Sequence, residues 1–127
     1  MGLDMSAYSV PNEAIGDQQV DMIFPKGTTA DEIAYWRKFH QLHGWMERLY
    51  RAKDGSSETF NCNEVRLMPE DIDRLEADAK NGLPATAGFF FGNSEWNKGC
   101  EAEVLEFVAL CRAKFADGQA VFYSSWW

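Results

Sequence analysis

The feature that most restricts the fold is the stretch Ala30 to Arg51, ADEIAYWRKFHQLHGWMERLYR, the longest uninterrupted periodic segment of the chain. It carries both histidines and two of the five tryptophans. At about 100° per residue, Tyr35, Trp36, Phe39, Leu42, His43, Met46, Leu49 and Tyr50 share one broad apolar arc, as a core-facing helix requires. Arg37, His40, Gln41, Gly44, Glu47, Arg48 and Arg51 fall on or beside the other side. Thr29 precedes Glu32 by the spacing of a capping box, and Asp31 and Glu32 put negative charge in the first turn. Asp54-Gly55-Ser56-Ser57 stops the segment. The pattern predicts one helix over about 30–51. Trp45 lies off the arc and calls for a second partner, a neighbouring strand or loop.

The remainder supplies a sheet and two more helices. Gly2 to Val10 alternates loosely and reads as an edge or first strand. Pro11 to Gly27 is polar and reads as a long loop, its patch Met22-Ile23-Phe24 tucked onto the core. Asn63 to Leu67 reads as a short strand with Val65 and Leu67 inward. Pro69 suits the first position of a helix with Ile72, Leu75 and Ala79 inward and Gly82 at its end. Ala87 to Gly92, three phenylalanines between glycines, reads as a central strand covered on both faces. A third helix is expected over about Lys98 to Phe115, on a stripe of Cys100, Val104, Phe107, Val108, Cys111 and Phe115. Asp117-Gly118 then turns the chain into a last strand, Gln119 to Trp127. The fold class is α+β: a small, mostly antiparallel sheet of about four strands with three helices. A length of 127 residues fits one domain, residues 1–127.

Composition narrows the functional classes. A formal charge of −8 disfavours direct binding to nucleic acid or an anionic membrane and suits a basic protein partner. No segment has the roughly 20 apolar residues needed to cross a bilayer. The start MGLDMSAYSV lacks the basic and apolar regions of a signal peptide. Cys62, Cys100 and Cys111 are an odd number without CxxC spacing, which points to a reducing, cytoplasmic setting.

Several stretches together carry a resemblance. They are Gly2-Leu3-Asp4-Met5, Tyr35-Trp36-Arg37-Lys38 followed by His43 and Trp45, Leu83-Pro84, Gly88 to Gly92, and Tyr123-Ser124-Ser125-Trp126. In these the chain resembles a family of small, largely uncharacterised proteins carried by bacteria and bacteriophages. It departs from that pattern in Ala85, which intervenes before Thr86, and in the terminal Trp127. The resemblance implies a phage or prophage origin and a single-domain architecture, and it carries no activity with it.

Four sets of residues are candidates for chemistry. Trp36, Arg37, His43 and Trp45, with Tyr123, Ser124, Ser125 and Trp126, offer rings to stack, a guanidinium for phosphate and hydroxyls to orient, as a nucleotide-like anion would need. The plainer reading makes the same aromatics ordinary core. His40 and His43 have the spacing to share a metal with Cys62 or Glu32, but HxxH alone is a weak pattern and no metal or other cofactor is expected. A catalytic set of His43 as base, Glu32 as its orienting group and Ser124 or Ser125 as nucleophile has no supporting motif. The fourth set is acidic: Glu70, Asp71, Asp73, Glu76 and Asp78 on one helix and Glu101, Glu103 and Glu106 on the next. Rows of carboxylates can dock on a basic groove or imitate a phosphate backbone, whereas most such rows are merely solvated faces. The sequence therefore points first to a non-enzymatic, phage-type protein that inhibits a host target, such as a nucleic-acid-handling defence complex. A small-ligand binder comes second and a small hydrolase-like enzyme third.

Overall fold

The computed structural model describes residues 2–83 and 96–127, and its architecture is α+β. Four strands, β1 (Asp4–Pro11), β2 (Asp31–Arg37), β3 (Val65–Leu67) and β4 (Gln119–Trp126), form one sheet in the order β2-β1-β4-β3. Every pairing is antiparallel. The helices are α1 (Asn12–Ile15), α2 (His40–Ala52), α3 (Pro69–Asn81) and α4 (Lys98–Ala116). The segment Ala87 to Gly92, read as a central strand, lies outside the described residues. The two inner positions of the sheet are held by β1, expected as an edge or first strand, and β4.

Side chains alternate across each strand, so the sheet separates two clusters. Met5 and Ala7 of β1, Val65 and Leu67 of β3, and Val121 and Tyr123 of β4 are fully buried on the side covered by the three long helices. There they meet Leu42, Met46, Leu49 and Tyr50 of α2, Ile72, Leu75 and Ala79 of α3, and Val104, Phe107, Val108 and Cys111 of α4. The intervening residues Val10, Ala120 and Phe122 face the other way, into a smaller cluster with Ile15 and Met22. Tyr8 stacks on Phe122 at 5.2 Å, and Phe24 covers the same ring at 5.4 Å. The loop patch thus tucks as expected through Met22 and Phe24, while Ile23 stays 80% exposed.

The expected helix over 30–51 divides in two. Residues 31–37 are a strand on the outer edge of β1, pairing Asp4 with Arg37 and Ala7 with Ala34. Lys38 sits in the left-handed region at φ 57°, which ends the strand, and α2 begins only at His40. The Thr29–Glu32 capping box therefore caps nothing. Ala34 and Trp36 alternate with Tyr35 and Arg37, so this part satisfies a period of two as well as 3.6, while Ile33 turns to the side of Ala34 at the register shift. The isoleucine and aromatics favour the pleated form once an edge of β1 is there to pair with.

The shortened α2 is wrapped by protein on nearly all sides in its first two turns: His40, Gln41 and Gly44, expected on the polar side, are buried with the arc. Trp45 finds its second partner in a helix, donating its indole N–H to Asp78 Oδ2 of α3 at 2.8 Å. α3 and α4 follow their expected limits closely, starting at Pro69 and Lys98. Gly82, at φ 89°, donates its N–H to Ala79 O to close α3. At 19 residues α4 is the longest helix, the place expected for 30–51.

Candidate functional site

The strand alternation that builds the core also distributes the residues expected to form a pocket. His43, Tyr123 and Ser125 lie on the helix-covered side of the sheet and are buried. His43 Nδ1 stands 2.7 Å from Tyr123 Oη, and Phe60 packs on the imidazole at 5.2 Å. Burial, reinforced by the charge of His40, pulls His43 down to about 4, so it is neutral at physiological pH. Burial pushes the Tyr123 phenol well up. Trp36 is half-buried on the same side, its ring set edge-on to Phe107 at 4.9 Å. Trp45 is buried between α2 and α3.

Arg37 and Trp126 belong to the opposite face. Both register with Asp4, and both are exposed. The Arg37 guanidinium lies over Gly2, where an added Cβ would come to 3.3 Å of Nη2. Ser124 points the same way as Trp126, beside Asp4, Ser6 and Cys62. The single aromatic, arginine and histidine pocket expected from the sequence is thus not assembled: its members are divided by the sheet. The catalytic set is divided likewise, because Glu32 accepts a hydrogen bond from Ser6 Oγ at 2.7 Å on the open face while His43 is inside. Among the described residues no group of three His, Cys, Asp or Glu side chains is placed to hold a metal.

The acidic row on α3 is mostly committed inside the molecule. Asp71, expected on the outer surface, is 3% exposed. Its Oδ2 accepts the Met68 N–H at 2.9 Å, capping α3, and pairs with Lys53 Nζ at 2.6 Å. Lys53, at the C-terminal cap of α2, is drawn in by three acceptors: Asp71, Gln19 Oε1 and Arg66 O. Asp73 and Glu76 grip Arg112 of α4 at 2.9 and 3.1 Å, and Asp78 holds Trp45. Glu70 stays exposed at the start of α3.

On α4 the case is different. Glu103, Glu106, Phe107 and Leu110 follow the i, i+3, i+4, i+7 spacing of one helical stripe. Together with Ile33, Ala34, Tyr35 and Trp36 of β2 they line an open groove of about 290 Å³. Among the described residues neither Glu103 nor Glu106 has an ion-pair partner, and no cation lines the groove. Glu101, two residues before Glu103, is half-buried and lies outside it. The sequence reading selected Glu103 and Glu106 and missed Ile33, Tyr35 and Leu110. The alternation of 34 and 36 with 35 and 37 and the helical stripe of 103, 106, 107 and 110 were the available signals.

Comparison of the chain with protein-family models, with curated proteins and with solved structures gives no match. No helix among the described residues is long and apolar enough to cross a membrane.

Proposed function

We propose that this is a non-enzymatic interaction protein of the phage or prophage kind, which binds and blocks a host protein with a basic surface. A nucleic-acid-handling defence complex is the class of target its acidity suits, since such complexes carry basic grooves for a phosphate backbone. The observation that carries the reading is the Glu103–Glu106 pair. These two carboxylates flank an open, partly apolar groove with no cation among the described residues that line it, whereas the acids of α3 are largely consumed by Lys53, Arg112 and Trp45. Charged groups at such a rim govern association rate and partner choice more than the fold's stability.

The test is capture of the target from host extract by the immobilised protein. Glu103→Lys combined with Glu106→Lys should abolish capture while leaving the circular dichroism spectrum and melting temperature unchanged. Undiminished capture by that folded double variant overturns the proposal. The small-ligand reading has less support, because Trp36, His43, Trp45, Tyr123 and Ser125 lie on the covered side of the sheet and Arg37 and Trp126 on the other. Native mass spectrometry of the protein from its host separates the two: a small mass that leaves on denaturation would speak for the ligand.

A further inference from the structure

The two ends of the sheet are treated differently. The β3 end is covered by the chain's own loop: Arg66 N–H donates to Gln19 O at 2.8 Å, Asp21 N–H donates to Glu64 O at 3.0 Å, and Val20 bridges to Val65. At the other end β2 is the last strand among the described residues. Lys38 N–H donates to Leu3 O at 2.8 Å, so the pairs two steps on, Trp36 with Met5 and Ala34 with Ala7, are the hydrogen-bonded ones. Tyr35 and Arg37 therefore turn their backbone N–H and C=O groups away from β1, along the outer edge. An edge that no described strand pairs with is a template for a further strand.

Edges are often blunted by charge, and this one carries exposed Arg37 and Lys38 at its finish and two acids at its start. Asp31 and Glu32 are exposed there, and the register shifts opposite Ala7 and Tyr8. From Ala34 to Arg37 the register is regular. Along that regular part runs the groove whose far wall is Glu103, Glu106, Phe107 and Leu110 of α4.

We infer that the groove between β2 and α4 takes an extended peptide as a fifth strand, one whose side chains alternate between basic and apolar. This rests on the interaction reading above and adds the mode and chemistry of the partner. Residues of the added strand that point toward α4 lay lysine or arginine stems across Phe107 and Leu110 and deliver their charges to Glu103 and Glu106. The alternate residues point to the other side of the sheet, where the 55% exposed Tyr35 ring offers an apolar neighbour. Backbone groups of Tyr35 and Arg37 supply the ladder. Charge decides the partner: a groove with two carboxylates and no cation among the described residues that line it rejects an acidic strand.

The test uses a fluorescently labelled ten-residue peptide of alternating valine and lysine, followed by anisotropy against the whole protein. A second peptide carries the same side chains with its alternate backbone nitrogens methylated, and a third replaces lysine with glutamate. The first should bind. The methylated peptide should bind about tenfold or more weakly, the scale of losing two net hydrogen bonds. The glutamate peptide should not bind. Tyr35→Pro in the protein, tolerable on an edge strand, should reproduce the loss. Equal binding of the methylated and parent peptides overturns strand addition yet leaves the acidic-groove function standing, since side-chain charge alone would then suffice. Absence of binding by the valine–lysine peptide overturns the inference outright, and target capture by the Glu103 and Glu106 variants decides the broader reading on its own.

Discussion

Gly55 shows how little slack the inner core has. A Cβ placed there would overlap the ring of Tyr50, which is fully buried and donates its hydroxyl to Asp21 at 2.7 Å. Gly55→Ala should therefore cost about 1–3 kcal/mol, the usual range for overpacking, read as a lower urea midpoint with the slope unchanged. His43 makes the second prediction at this scale. The unfolded chain protonates it near 6.5, the folded protein only at about 4. As pH falls the unfolded state takes up the proton first. The stability held by neutral His43 is thus complete above about pH 6.5 and is lost progressively toward pH 4. Between about pH 7 and about pH 5 the protein should lose about 2 kcal/mol more than His43→Gln, which has no such proton to bind. Equal losses in the two proteins would mean that the imidazole is not held neutral by its burial.

At the scale of elements, the sequence was most legible where one period ruled alone. α3 starts on Pro69 and stops before Gly82, and Val65 and Leu67 point inward from β3, because caps and alternation are local signals. The 30–51 stretch misled because its first third fits two periods, and the choice between them depends on β1, some 25 residues earlier in the chain. The expected pocket grouped Arg37 with Trp36 and His43 by nearness in the sequence, whereas pleating sends it to the far face of the sheet. The acidic face of α3 misled for a related reason: helical spacing places Asp71 among the exposed acids but cannot see Lys53 arriving from α2. That ion pair gives a sharp contrast. Asp71→Ala should cost about 3 kcal/mol, by removing both the cap on the Met68 N–H and the counter-charge of the mostly buried Lys53 ammonium. Glu70→Ala, one residue away on the exposed side, should stay within about 0.5 kcal/mol. Urea titration of both variants checks it, and similar losses would contradict the role given to Lys53.

For the whole molecule, the sheet is the organising boundary. It buries one face under three long helices, half covers the other with the Met22–Phe24 loop, and protects its β3 end with residues 19–21. Besides the sheet face around Trp126, what remains open among the described residues is the β2 end and the acidic groove beside it, on a protein of formal charge −8. Electrostatic attraction to a basic partner would then fall steeply with salt, while the backbone ladder at Tyr35 and Arg37 would not. The most direct measurement is an amide hydrogen-exchange map of the protein, alone and with its captured target. The account predicts that protection rises at the Tyr35 and Arg37 amides and along Glu103 to Leu110, with little change on the exposed side of α3. Protection confined to the open sheet face around Trp126, or to Glu70 and the start of α3, would contradict it.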